Sequence, residues 1–548
     1  MKSYRVRERL HEQLLPHLML SRGIALDAHE SFLTPNFERD SHDPFLLPDM
    51  GVAVERIMAA KQSGEKVAVW SDYDCDGIPG GVLLTEFFRA IGIDTTHYIP
   101  DRHAEGYGLN NEGLATLAQA GVTLVVTVDL GTTDVEPIAF AKTKGIDVII
   151  TDHHLEPAQL PEALAIINPK LKTSQYPFDG LCGAGVAWKL AQAIQQKHKL
   201  LGEGQEKWML DLAALGTLSD MVPLVGENRM IAHYGLVVMR KMRRPGLSSL
   251  FRLLRIKSEL LTEDDIGFMI APRINAASRM GTPRTAAQLL GEQDKTIATG
   301  LAKELQALND ERKGLVAATV KEVNKRLAMG VESSVIVMGS PSWRPGILGL
   351  VANNVAETYG KPVFLWGREG GELMRGSVRG APGINVVELM AGARDVFEDF
   401  GGHTASGGFS LTQERVHELP MRLAAAYESI AQKGLAQNEV LIDRELDMAE
   451  VSFAHRELKK LAPFGIGNQK PLFVVPRVTI GNAKMFGKAQ EHLDLRLTNG
   501  STSVSGISFF AKPSNFTKQI SVGDTADVVG HVETDWRGQP RIRVVDVL

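Results

Sequence analysis

Cysteine is nearly absent. Only Cys75 and Cys182 occur in 548 residues, too few for a disulfide framework or a zinc ribbon, so the expected setting is a reducing cytoplasm. No stretch of ~18 uninterrupted apolar residues occurs, and no membrane-spanning helix is expected. The opening Met1-Lys2-Ser3-Tyr4-Arg5 leads into charge, unlike a secretory signal. A Gly-x-x-x-x-Gly-Lys-Ser/Thr loop is missing, which leaves nucleotide-driven motor action unsupported. A Gly-x-Ser-x-Gly elbow is missing too, and neither cysteine has a nucleophilic context, which weakens acyl transfer. Low-complexity segments and internal repeats are likewise lacking. What is present is a globular composition, 44% apolar and 23% charged, which excludes disorder as the main theme. The length implies three or four domains at ~150 residues each.

Charge is unevenly spread. The whole chain carries −5, yet from Val451 onward there are 13 Lys/Arg against 8 Asp/Glu, a net +5, which leaves −10 for the remainder. An acidic body suits cations and a basic C-terminal part suits an anion.

Three apolar β-rich runs come early: Val67–Trp70, Leu124–Val128 and Val148–Thr151, with a helix-like Gly80–Ile91 between the first two. Such alternation predicts a parallel sheet covered on both faces. An aspartate closes each run, Asp72, Asp129 and Asp152, and open α/β sheets bind ligands at the carboxyl ends of their strands. From about Thr285 to Met329, apolar residues from Ile297 to Leu327 recur at three- and four-residue steps, which predicts a long connecting helix. A second, glycine-rich α/β region follows, beginning with the strand Ser334–Met338. Beyond about Leu435 the pattern changes to alternation, as in His492–Leu497 and Arg541–Val544, which predicts a small β-barrel.

Chemistry concentrates in two clusters. Asp72, Asp74 and Asp76 fall within Asp72-Tyr73-Asp74-Cys75-Asp76-Gly77. Three carboxylates so close repel one another at neutral pH unless cations neutralise them, and hard divalent ions favour such ligands. An EF-hand starting at Asp72 would need Glu where Leu83 stands. The second cluster is Thr151-Asp152-His153-His154, where one imidazole can ligate a metal while its neighbour faces a substrate. Asp129 and Asp220 are each, taken singly, ordinary turn or cap residues. Together with Asp74, Asp76 and His153 they could hold two metals ~3.5–4 Å apart around a phosphoryl centre.

In this order, Asp72–Gly77, Val128–Gly131, Asp152-His153-His154 and Gly216–Asp220 resemble the four motifs of the DHH phosphoesterase superfamily, and Gly401-Gly402-His403 resembles the signature of its second domain. Arg102 with Glu105–Leu109, Ile274–Met280 and Leu461–Asn468 resemble one branch, the RecJ single-strand-specific exonucleases. The resemblance runs from about Glu65 to the C-terminus. It implies two α/β lobes, DHH and DHHA1-type, joined by a long helix and followed by an OB-type barrel. The corresponding boundaries are 1–290, 291–330, 331–434 and 435–548. It implies two Mn2+ or Mg2+ ions held by Asp74, Asp76, Asp129, His153 and Asp220, with catalytic roles for Asp72 and for His154 at the scissile phosphate. Arg279, Ser377, Arg379 and His403 match positions that hold DNA phosphates. It further implies 5′ to 3′ degradation of single-stranded DNA in repair and recombination, with a single-stranded-DNA-binding protein and a helicase as partners.

The sequence departs from the family in places. Arg344 stands where the family usually carries His, so altered end-binding is expected, with Arg344 still able to contact phosphate. Cys75 replaces a small residue, Ser278 a Gly, and Gly380 a common Ser. Arg375-Gly376-Ser377-Val378-Arg379 offers fork donors and open backbone N–H groups to phosphate without the family's help. In the barrel, Phe473, Phe486, Phe509, Phe510 and Trp536 lie among Lys484, Lys488, Arg496, Lys512, Arg537, Arg541 and Arg543. That mixture suits stacking on unpaired bases, with Trp536 the preferred candidate. Because Asp220 lies far upstream of the barrel, a chain ending near Gly434 is expected to keep its metal site. Two other functions fit parts of the sequence: a phosphodiesterase on short oligonucleotides or cyclic dinucleotides, and an inactive replication scaffold.

Overall fold

The computed structural model describes residues 3–102, 105–330, 333–368, 371–431, 439–487 and 490–548. The expected boundaries at 331 and 434–435, and Lys488, lie outside these residues.

The three early runs form neighbouring strands, Lys66–Ser71, Val122–Val128 and Asp147–Thr151, in an all-parallel five-stranded sheet. Thr95–Tyr98 borders the first on one side and Ala165–Ile167 closes the other edge. Their side chains are buried on both faces, as continuous apolar strands require. The chain leaves Lys66–Ser71 for one edge and returns on its other side, so the strand order reverses between Lys66–Ser71 and Val122–Val128. Asp72 and Asp129 follow the two strands that flank this reversal, the place where open α/β sheets hold ligands.

The long helix is Lys295–Leu327, 33 residues and about 50 Å. It starts ten residues later than the periodicity indicates. Pro283–Gly291 is a separate helix, and Asp294 caps the long one by accepting from the N–H groups of Thr296 and Ile297. Ile297 is therefore exposed. Ala298, Ala302 and Leu305 sit in the core of the catalytic lobe, while Val323 sits in the core of the second lobe. One rod thus joins the two.

The second lobe is a mixed sheet ordered Asp399–His403, Ser406–Leu411, Met374–Arg379, Val363–Gly367 and Ile336–Gly339; only the last two are parallel to each other. In the C-terminal region, Phe473–Phe486, His492–Asn499, Thr502–Ser508, Pro540–Val547 and Thr525–Thr534 pair in that order. Thr525–Thr534 pairs back onto Phe473–Phe486 and closes a five-stranded barrel. Leu493, Leu495 and Leu497 point inward while Asp494 and Arg496 point to solvent, as the alternation predicts.

The first residues of the chain pack with the C-terminal region. Ser3–Val6 pairs with Glu439–Ile442. Leu14, Leu15, Leu18 and Met19 fill the barrel-side core, and the Tyr4 hydroxyl donates to Asp546 at 2.8 Å. These segments are over 400 residues apart in the sequence, and apolar periodicity carries no information about such pairing. No described helix is long and apolar enough to cross a membrane.

Candidate metal centre

The carboxyl ends of the strands gather the predicted acids. Asp72, Asp76, Asp129 and His153 are buried, while Asp74 and Asp220 are partly open. Asp76 sits where the Gly77–Ala90 helix begins, and its two oxygens accept from Gly183 N–H at 2.6 Å and Ala184 N–H at 2.8 Å. Gly183 is required there, since a Cβ would come within 2.4 Å of the Asp129 side chain. Asp74 accepts from the N–H groups of Asp76 and Gly77, at 2.8 and 3.0 Å, and so fixes the turn. Asp129 holds a left-handed φ of 65°; such strain persists where the surroundings over-determine it and collects at functional sites.

His153 Nε2 lies 3.1 Å from Asp129 Oδ1, 3.7 Å from Asp220 Oδ2 and 3.8 Å from Asp76 Oδ2. Three sets of ligand-type atoms each fall within 4.8 Å: Asp72, Asp74 and Asp129; Asp76, His153 and Asp220; Asp129, His153 and His154. Asp72 Oδ1 and Asp129 Oδ1 are buried without a hydrogen-bond donor. Burial and the neighbouring Asp74 push Asp72 well above the carboxylate range, and burial and Asp76 do the same to Asp129. Asp76 rises to about 6 and Asp220 to about 8, again from burial first and the adjoining carboxylates second. Burial and the adjacent His154 push His153 down to about 3, so it presents a neutral imidazole. Buried oxygens that repel one another, plus a neutral imidazole nitrogen, form a donor set suited to hard divalent cations.

His154 is placed differently. Its Nδ1 lies 2.7 Å from Asp152 Oδ1, and this partner raises the imidazole pKa although burial alone would lower it. Asp152 resists the effect of its own burial and stays low because His154 and Thr132 donate to it. The imidazole is therefore held by one nitrogen with the other ring edge half-exposed.

Several supports come from strings singled out in the sequence without a role. Tyr107 donates from its hydroxyl to the Asp129 carbonyl at 3.2 Å, and its ring stands edge-on to His154 at 6.0 Å. Asn275 accepts from Cys75 N–H at 2.9 Å, which ties the Ile274–Met280 string to the first acidic cluster. Arg102 lies over the Tyr73 ring at 5.0 Å. The strings around Tyr107 and Asn275 stand out as motifs; their partners become visible only once the chain is folded.

Across the cleft, Arg279 donates to the Gly346 carbonyl of the second lobe at 2.8 Å. Burial, then the neighbouring Arg102, Arg312 and Arg379, bring it down to about 9. Arg279 thus feels positive charge from both lobes and from the joining helix, partly offset by Asp74. Arg379, Ser406 and His403 are register partners on adjacent strands, and Ser377 lies two residues from Arg379, so all four share one sheet face. His403 is exposed. Arg344, just before the Pro345–Tyr359 helix, is half-exposed and lies 3.7 Å from Glu311 of the long helix.

The barrel aromatics divide. Phe473 is core, whereas Phe510 is 81% exposed and Trp536 68%. Phe486, Phe509 and Phe510 pack around His492 with ring centroids 4.7–5.4 Å apart. Trp536 lies 4.5 Å from Arg537 and 5.8 Å from Lys257 of the catalytic lobe, at a cavity of about 420 Å³ between that lobe and the barrel. Arg541 and Arg543 are both paired with Glu533, at 2.7 and 3.2 Å, so the basic surface is smaller than the count implies.

Comparison with known proteins agrees with this architecture. The chain matches the DHH family N-terminal domain over residues 66–217, the DHHA1 domain over 332–430 and the RecJ OB domain over 442–545. The single-stranded-DNA-specific exonuclease RecJ of Bacillus subtilis (strain 168) is 32% identical, over 98% of this chain and 68% of its own length. That of Salmonella typhimurium is 30% identical, over 90% and 89%. The crystal structure of RecJ in complex with Mn2+ from Thermus thermophilus is similar with a TM-score of 0.80 and 27% identity, covering 97% of this chain and 75% of that one. With strand-end acids, arginine-lined cleft and barrel all present in one chain of matching architecture, this protein belongs to the RecJ family.

Proposed function

We propose that the chain is a metal-dependent exodeoxyribonuclease that hydrolyses phosphodiester bonds of single-stranded DNA. The observation that carries this reading is the gathering, at the strand ends, of buried carboxylates and an imidazole nitrogen whose ligand-type atoms lie within 4.8 Å of one another, a donor set that needs cations. Divalent cations held by these acids would offset their repulsion and leave the site able to accept a phosphodiester.

Asp74, Asp76, Asp129, His153 and Asp220 would hold the ions, two of them by the family resemblance, with Asp72 at the same edge. Bound Mn2+ or Mg2+ supplies Lewis acidity and a water of lowered pKa. The remaining work falls to side chains. Asp152 accepts from His154 Nδ1–H and raises the imidazole pKa; in the imidazolium form so favoured, Nε2–H donates to a phosphate oxygen where charge builds. Arg279 and Arg379 grip phosphates from the two lobes, with Ser377, His403 and Arg344 along the same path, and the exposed barrel aromatics, Trp536 included, stack on bases further along. A 5′ to 3′ direction, a cytoplasmic location and partnership with a single-stranded-DNA-binding protein and a helicase follow from the family resemblance.

The test is Mn2+-dependent digestion of a long single-stranded oligonucleotide beside a blunt duplex and a dinucleotide. Release of mononucleotides from the single strand, with the duplex resistant and EDTA abolishing the reaction, supports the reading. Cleavage of the dinucleotide alone would favour the short-substrate phosphodiesterase, and no cleavage of any substrate would favour the scaffold.

A further inference from the structure

The string Leu461–Asn468 stands out in the sequence by its proline and glycines. In the structure it folds into a small closed hairpin. Gly465 N–H donates to the Asn468 carbonyl at 3.0 Å and Asn468 N–H to the Gly465 carbonyl at 3.1 Å. The wholly buried Asn468 side chain donates to the carbonyls of Leu461 and Pro463, at 2.8 and 2.9 Å. The hairpin precedes the first long barrel strand but lies against the catalytic lobe. Leu224 N–H donates to the Ile466 carbonyl at 2.7 Å. A Cβ at Gly467 would sit 3.1 Å from Val225 Cγ1, and one at Gly465 only 2.8 Å from Leu224 Cδ1. Arg229, 3% exposed, clamps the other side by donating to the carbonyls of Ala462 and Pro463 at 3.1 and 3.3 Å, and to that of Phe32 at 2.8 Å.

Residues 221–225 are the direct continuation of Asp220. The two oxygens of Asp76 are aimed by backbone N–H groups, whereas the Asp220 carboxylate accepts no backbone hydrogen bond among the described residues. Its direction is therefore set by its own main chain. Upstream, Asp220 N–H donates to the Gly216 carbonyl at 2.9 Å and Ser219 Oγ to the Cys75 carbonyl at 2.6 Å. Downstream, Met221 turns through a left-handed φ of 60°, a conformation that a non-glycine residue keeps only where its surroundings enforce it. Those surroundings are Asn228, which donates to the Pro223 carbonyl at 3.0 Å, and the hairpin.

We propose that the hairpin of residues 463–468 is a positioning element for Asp220, so that a segment of the C-terminal region supports the metal centre. The proposal rests on the metal-centre reading above. It makes the hairpin a support acting through the 221–225 backbone, with no contact to substrate.

The experiment compares the full-length protein with Gly467→Ala, which strains a φ of +77° and presses on Val225. Gly523→Ala is the control. It imposes a similar strain, at φ +96°, on a barrel turn where a Cβ meets nothing within 4 Å. Mn2+ binding is read by the electron paramagnetic resonance signal of free Mn2+, and cleavage is read on a short oligonucleotide at increasing Mn2+. Gly467→Ala is expected to weaken Mn2+ binding about 10-fold, within the range for loss of outer support to a ligand. Saturating Mn2+ should restore much of kcat, and KM for the oligonucleotide should stay put. Gly523→Ala should bind Mn2+ like the parent. If Gly467→Ala does not fold, Gly465→Ala, which displaces only the end of the Leu224 side chain, should give a smaller shift of the same sign. Parental Mn2+ binding in a folded Gly467→Ala or Gly465→Ala protein overturns the proposal, as does an equal loss in Gly523→Ala. A parent that neither binds Mn2+ nor cleaves DNA instead refutes the metal-centre reading itself.

Discussion

The catalytic lobe and the C-terminal barrel are both built on β-strands, but they put their chemistry in different places. In the catalytic lobe both sheet faces are buried, so functional groups can stand only at the strand ends, and Asp72, Asp129 and Asp152 all do. In the barrel one face of each strand is open, so cations and aromatics spread along the strands and into the turns between them. The lesson is one of economy. Strand-end chemistry is compressed into a few consecutive residues, whereas surface chemistry is diluted, and there each side chain should matter less.

Breaking the strand-end cluster should have the largest effect. Asp129→Asn removes one charge from a buried set and should lower turnover roughly 1,000-fold, equivalent to several kcal/mol of transition-state stabilisation. Its thermal melt should stay near the parent's. A variant with near-parental activity in Mn2+ would remove Asp129 from the centre.

The two histidines sharpen the picture within the lobe. His154→Ala should lose about 10²- to 10⁴-fold in kcat, the scale of a positioned proton donor, while metal content stays close to the parent's. His153→Ala should lose both, and metal analysis of the two purified variants decides. Equal metal loss in both would end the division of roles.

Arg379→Ala comes next. It should weaken DNA binding and flatten its salt dependence by ~0.7 per lost phosphate contact on a single strand. An unaltered slope would take Arg379 off the DNA path.

The smallest effect belongs to the barrel surface. Phe510→Ala should weaken binding of a long strand by about 1 kcal/mol, at the low end for one stacked base. It should leave cleavage of a very short oligonucleotide as it was, and a long-strand affinity equal to the parent's would assign the aromatic cluster another use.

The same contrast explains what is legible in the sequence. The parallel sheet, the long helix, the barrel and the acids with their histidines can all be read there, because each is a local pattern or a motif a few residues long. Apolar periodicity misplaces the start of the helix because the Asp294 cap outweighs it. The pairing of Ser3–Val6 with Glu439–Ile442 and of Leu224 with Ile466 joins residues hundreds of positions apart, and neither leaves a local trace. For that reason the sequence alone suggests that a chain ending near Gly434 keeps its metal site. The hairpin role proposed above points the other way. Such a truncation removes the hairpin behind Asp220 and bares Leu14, Leu15 and Leu18, so loss of Mn2+ affinity and aggregation are expected together.

The central claim is that the carboxyl edge between Asp72 and Asp220 is a divalent-metal centre. Anomalous diffraction at the manganese edge from crystals grown with Mn2+ tests it most directly. The account predicts two peaks, one among Asp76, His153 and Asp220 and one among Asp72, Asp74 and Asp129. Crystals that hold Mn2+ elsewhere, with no peak at this edge, would contradict it.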